Sequence, residues 1–224
     1  MLRGAVKGQT MRQTAISFRS EKLNLEGVVG WPDEPSGGAP VAVVCPPHPT
    51  LSGDMDNPLV IAICQALDSL GVATVRFNFR GVGQSEGEFS NGKQEGHDIE
   101  AALKLAKRWP GCDGKRVGLA GHSFAAAVIL RGLGRVKSAR AVALVSPPVA
   151  AATQSLDKLA RERRLLVLAG DADRIAPSER LATLVETSGG RAQMEVVAGA
   201  THHWRGQEAD AAERVARFLA GALV

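Results

Sequence analysis

The polar and apolar positions of this 224-residue chain fall into two alternating rhythms, one short and one long. Residues 14–20 and 23–31 mix apolar and β-branched positions with polar ones, and the charged pair Glu21 and Lys22 separates them. This predicts an antiparallel hairpin at a sheet edge. Residues 32–40, rich in Pro and Gly, predict a loop. Residues 41–44 are an unbroken apolar run, the pattern of a strand buried on both faces of a parallel sheet. Asn57 followed by Pro58 is a helix start, with a capping side chain and a proline whose missing N–H costs nothing there. The helix is predicted to run to about Leu70, with Gly71 closing it. Strands are then predicted at 72–79, 115–120, 140–146, 164–169 and 193–198, and helices at 94–109, 124–134, 177–188 and 207–222. Ile99, Ala102, Leu103 and Ala106 recur at helical spacing, as do Ala212, Val215, Ala216 and Leu219, so each of these helices has one face for a sheet. Strands alternating with helices predict right-handed crossovers and a doubly wound, mostly parallel α/β sheet. Its ligand sites are expected beyond the carboxyl ends of the strands.

Composition narrows the function classes. With 45% hydrophobic and 22% charged residues, the chain can bury one full core and is expected to be soluble. A single domain over residues 14–224 is expected after a poorly ordered tail over 1–13, in which Met11 offers an alternative start. The net charge of +4 is scattered apart from a small cluster at Arg161, Arg163 and Arg164, so no nucleic-acid partner is expected. Cys45, Cys64 and Cys112 are odd in number and lack metal-ligand spacing, which predicts reduced thiols, no metal and a cytoplasmic location. The basic residues Arg3, Lys7 and Arg12 precede no apolar segment, and no run is long enough to span a bilayer. Neither export nor membrane insertion is expected.

The chemistry centres on Gly121-His122-Ser123-Phe124-Ala125, between a predicted strand and a predicted helix. A serine flanked by residues with little or no side chain fits a sharp strand-to-helix turn, a nucleophile elbow that frees the hydroxyl and aims the next N–H at substrate. Ala125 stands where the G-x-S-x-G pattern has its second glycine. A serine hydroxyl needs a neutral imidazole to take its proton, and the imidazole needs a carboxylate. Two later strand ends offer them. Asp171 and Asp173 lie in the turn 170–177, and His202 and His203 lie in the turn 199–204.

With these motifs the chain resembles the α/β-hydrolase superfamily, and within it the small bacterial serine hydrolases related to dienelactone hydrolase. The resemblance spans residues 14–222 and is carried by four further stretches. They are Pro47-His48-Pro49 with Gly53, Met55 and Asn57; the segment from Arg76 through Arg80, Gly81 and Gly83 to Ser85; the acid turn; and the histidine turn. The resemblance implies a catalytic triad of Ser123, Asp173 and His202, because G-x-x-D with a following proline selects Asp173 and G-x-x-H with a following aromatic selects His202. It also implies an oxyanion hole of the Phe124 N–H with the Thr50 N–H, Leu51 being the alternative. Leu51, Met55, Phe124 and Trp204 are expected walls of an acyl pocket. Residues 147–163 leave room for one short helix and a loop, so no cap domain is expected and the site is expected to be open. The expected activity is cleavage of short-chain carboxylic esters without cofactor or metal, the partner being the small-molecule ester. Thioesterase, amidase and acyltransferase chemistry use the same triad, and an inactive binding module is the alternative outside catalysis. His122 is expected to take no part in proton transfer, and Asp98 to favour the N-terminus of its helix.

Overall fold

The computed structural model describes residues 12–32, 38–51 and 53–223, leaving out the Leu51 side chain. The tail expected over 1–13 lies outside these residues as far as Met11, while Arg12 and Gln13 already belong to the first strand. Strands β1 (Arg12–Ser20) and β2 (Leu23–Trp31) form the expected antiparallel hairpin, and β2 also pairs antiparallel with β4 (Ala73–Phe77). The remaining strands are parallel: β3 (Ala39–Cys45), β5 (Cys112–His122), β6 (Ala141–Val145), β7 (Arg164–Gly170) and β8 (Ala192–Val197). The sheet order is β1-β2-β4-β3-β5-β6-β7-β8.

Helices cover both faces because the strands are apolar on both. Helices α2 (Glu95–Arg108), α3 (Phe124–Arg131), α4 (Val149–Glu162) and α5 (Ser178–Thr187) bury Leu103, Ile129, Leu156 and Leu181 on one side. Helices α1 (Pro58–Ser69) and α6 (Glu208–Leu223) bury Ile63, Leu67, Val215 and Leu219 on the other. Asn57 Oδ1 caps α1 by accepting the Leu59 N–H at 3.1 Å, with Pro58 at the first position, as its sequence predicts.

One expectation is corrected and another is extended. Residues 147–163 hold no short helix with a loop but the fourteen-residue α4, whose buried Ala152, Leu156, Leu159 and Ala160 pack it beside α3 and α5 as a full crossover. Asp98, beyond its place in the first turn of α2, is fully buried and takes the Arg80 guanidinium. The Arg80 Nη2 lies 2.8 Å from Asp98 Oδ1, and Ser20 Oγ donates to the same oxygen at 2.6 Å. This cluster joins β1, the turn after β4 and α2.

Chain order steps from β3 to β4 on one side and on to β5 on the other. Such a reversal opens a crevice at the carboxyl ends of the two strands, the usual ligand site of an open parallel sheet. The loop of His48 follows β3 and the turn of Ser123 follows β5.

Candidate active site

Ser123 sits between β5 and α3 with φ at 51°, a left-handed conformation that a non-glycine residue adopts at a cost of about 1–3 kcal/mol. The backbone is held there because the Ser123 N–H donates to Val145 O at 2.8 Å and Ser123 O accepts the Ala127 N–H at 3.0 Å. Gly121 makes the close approach of β5 and α3 possible, since a Cβ there would lie 2.6 Å from Ile129 Cδ1. Ala125, fully buried, fits its place in α3 without the glycine of the usual pattern. The Phe124 N–H begins α3, and such first-turn groups have no intrahelical acceptor.

The three strand-end turns converge. His202 Nε2 lies 2.7 Å from Ser123 Oγ, and His202 Nδ1 lies 2.9 Å from Asp173 Oδ2 and 3.1 Å from Oδ1. Asp173 Oδ1 also accepts the N–H groups of Ile175 at 2.9 Å and Ala176 at 2.8 Å. Burial pushes the Asp173 pKa upward, but the bonds from His202 and Ala176 and the neighbouring Ser146 hydroxyl outweigh it and bring the pKa to about 2. The carboxylate is therefore ionised at neutral pH. Asp171 lies away from the imidazole and accepts the Gly199 N–H at 2.6 Å, tying the acid turn to the histidine turn. His203 is exposed, its ring edge-on to that of His202 with centroids 5.8 Å apart.

His122, in the elbow, has its Nε2 3.0 Å from the His202 carbonyl oxygen. Its Nδ1 is buried without a partner among the described residues. Desolvation lowers its pKa to about 4, so the ring is neutral at neutral pH and holds the His202 backbone as an N–H donor. No cysteine competes as nucleophile: burial pushes the Cys45 thiol up, and the thiols of Cys64 and Cys112 to about 11.

A cavity of about 210 Å³ opens over Ser123, with walls from Pro47, His48, Asn57, Leu59, His122 and, before and at the start of α6, Arg205 and Glu208. Most expected walls lie elsewhere. Trp204, at φ 56°, turns its indole into the core under α1 and α6, where it is fully buried and its Nε1 donates to Ser146 Oγ at 3.1 Å. The Phe124 ring packs behind the site against His48, Phe79 and Phe89 at centroid distances of 5.1, 5.6 and 5.3 Å. Met55 is held through its N–H by Asn78 Oδ1 at 2.8 Å and is absent from the cavity walls, and the Leu51 side chain lies outside the described residues. The Thr50 N–H, expected in the oxyanion hole, donates to His48 Nδ1 at 3.3 Å within its own turn. That loop doubles back tightly, because a Cβ at Gly53 would lie 2.4 Å from His48 O.

The model of the X-Pro dipeptidyl-peptidase (S15) family matches residues 28–216. The chain belongs to this family. Among solved structures this S15-family chain is similar to an alpha-beta serine hydrolase homologue from Coxiella burnetii, at 30% identity and a TM-score of 0.78, over 91% of this chain and 96% of that one. It is similar as well to XC6422 from Xanthomonas campestris, described as an a/b serine hydrolase without lid, at 26% identity and a TM-score of 0.78, over 98% of each chain. An uncharacterized protein of Rickettsia prowazekii, RP471, is 34% identical over 135 residues, 60% of this chain and 55% of the relative. The match thus spans about half the length of that relative. The fold is that of the lidless α/β serine hydrolases.

Proposed function

We propose that the chain hydrolyses short-chain carboxylic esters through an acyl-enzyme on Ser123. The observation that carries this is the continuous hydrogen-bonded path from Ser123 Oγ through His202 to Asp173, at 2.7 and 2.9 Å, opening on the cavity. Ser123 Oγ attacks the ester carbonyl while His202 Nε2 takes its proton, and ionised Asp173 fixes the Nδ1–H tautomer and stabilises the imidazolium. Negative charge gathers on the carbonyl oxygen, facing the Phe124 N–H at the start of α3. His202 returns the proton to the departing alkoxide, and water then repeats the sequence on the acyl-enzyme. The chemistry calls for neither metal nor organic cofactor. A cavity of about 210 Å³ suits a short acyl group, and among the described residues no element folds over it to grip a long one.

The family match favours a second substrate, the peptide bond that follows an N-terminal X-Pro pair, and Glu208 on the cavity rim is a carboxylate that a free α-amine could meet. Two measurements separate these. Wild-type protein should label with a fluorophosphonate probe and Ser123→Ala should not, with turnover lower by about 10⁶. Among substrates, p-nitrophenyl acetate to hexanoate should be cleaved faster than p-nitrophenyl palmitate and than an X-Pro p-nitroanilide. Preference for the anilide would move the function to the peptide, and an unlabelled wild type would remove the mechanism.

A further inference from the structure

Ser146, which follows the carboxyl end of β6, has no part in the triad, yet it stands among its three turns, bonded to Trp204 of the histidine turn and next to Val145, which holds the elbow. It is fully buried and left-handed, with φ at 47°. Its strand stands between β5, which ends at the elbow, and β7, which leads to Asp173. The neighbouring Val145 O accepts the Ser123 N–H at 2.8 Å, and the Ser146 N–H donates to Leu168 O at 2.8 Å. The Ser146 Oγ accepts the Trp204 indole N–H at 3.1 Å, and Trp204 lies two residues beyond His202. An indole nitrogen can only donate, so the hydroxyl is the acceptor in that bond and keeps its own hydrogen to give. The side chain has no solvent-exposed surface, and the neighbouring anion is the Asp173 carboxylate.

We propose that Ser146 is a positioning residue, a buried hydroxyl that accepts from Trp204 and donates toward Asp173, so that the acid turn and the histidine turn share one anchor beneath the triad. This rests on the hydrolase mechanism proposed above. Two features support it. The hydroxyl helps hold Asp173 below the usual carboxylate range. Ser146 and Trp204 also both hold left-handed backbone conformations, which non-glycine residues keep only where surrounding structure insists.

A hydroxyl given to the carboxylate disperses its charge and moderates its pull on the imidazole. Without it, Asp173 should favour the imidazolium form of His202 more strongly. Around that imidazole stand Asp173 from the turn after β7, His122 from the elbow, His203 beside it, and Arg205 and Glu208 on the cavity rim. None of these others is touched by the change.

The test is Ser146→Gly, which accepts the left-handed backbone freely and removes the hydroxyl together with its one methylene. The expected result is a kcat lower by about ten- to a hundredfold, the usual toll of losing a group that orients a working histidine, with KM little changed. The acid limb of kcat/KM should move up by about half a pH unit. Trp204→Phe, which keeps the ring and removes the N–H, should move the limb the same way by less, and the double variant should lose less than the sum. If Ser146→Gly does not fold, Trp204→Phe reads the same limb. An unmoved limb in the folded variants, whether or not the rate falls, overturns the proposal by reducing Ser146 to a packing residue. Failure of the hydrolase mechanism itself would look different, because the wild-type protein would then neither label with the fluorophosphonate nor show a limb.

Discussion

Replacing Asp173 by asparagine should lower kcat by about 10⁴, because an amide cannot hold the Nδ1–H tautomer or balance the imidazolium. Asp171→Asn should cost far less, since the Asp171 side chain bonds the Gly199 N–H and not the imidazole. The comparison is made on purified variants with p-nitrophenyl butyrate, and a costlier Asp171 would shift the acid by two residues. The histidines divide in the same way: His202→Ala should abolish turnover, whereas His203→Ala, which alters an exposed ring centred 5.8 Å from that of His202, should keep most of it. These residues were legible because each follows an apolar strand by a few positions, so that strand prediction alone gathers Ser123, the aspartates and the histidines at one sheet edge. Trp204 was misjudged because an aromatic in a turn looks like a pocket wall, and nothing local announces a φ of 56° that swings it into the core. Ser146 went unread for a related reason: it follows an apolar strand as the others do, but its partners come from turns 27 and 58 residues away in sequence.

Among the elements, the junction of β1, α2 and the turn after β4 hangs on one buried charge pair. Arg80 donates from its backbone N–H, Nε and Nη2 to Asp98, and further to Gln94 and Glu21. Removing one partner strands the other charge away from water, so Asp98→Ala should lower the unfolding free energy by about 3–5 kcal/mol in urea titrations. The double change Arg80→Met with Asp98→Leu should lose markedly less, since no charge is then left alone. The run of strands and helices was readable from its two periods, and boundaries fell within a few residues where a proline or glycine marked them. The full length of α4 exceeded the short helix expected because the helix breakers Pro147 and Pro148 stand at its start, although its buried Ala152, Leu156, Leu159 and Ala160 recur at helical spacing. The pairing of Arg80 with Asp98 was equally hidden, since a glycine-rich turn and a helix start give no local sign that they meet.

At the scale of the whole molecule, the buried His122 sets a pH window for stability. Its folded-state pKa of about 4 lies below the ordinary 6.5, chiefly through desolvation, so the unfolded chain takes up a proton that the folded chain refuses. Stability is full above about pH 6.5 and falls as the pH drops toward 4, by roughly 3 kcal/mol over that interval. Urea unfolding at a series of pH values should show this decline in the wild type and a flatter one in His122→Gln. A second loss, from Asp173, should follow only between its ordinary value of 3.8 and about 2. The seating of α4 beside α3 and α5 bears on the fate of the acyl group as well. With that helix on the flank of the sheet and the half-buried Ser123 facing a cavity that no described element roofs, a serine acylated as proposed would stay in reach of bulk solvent. An added alcohol or amine would then compete with water only by its concentration and nucleophilicity, and the partition should run to free acid.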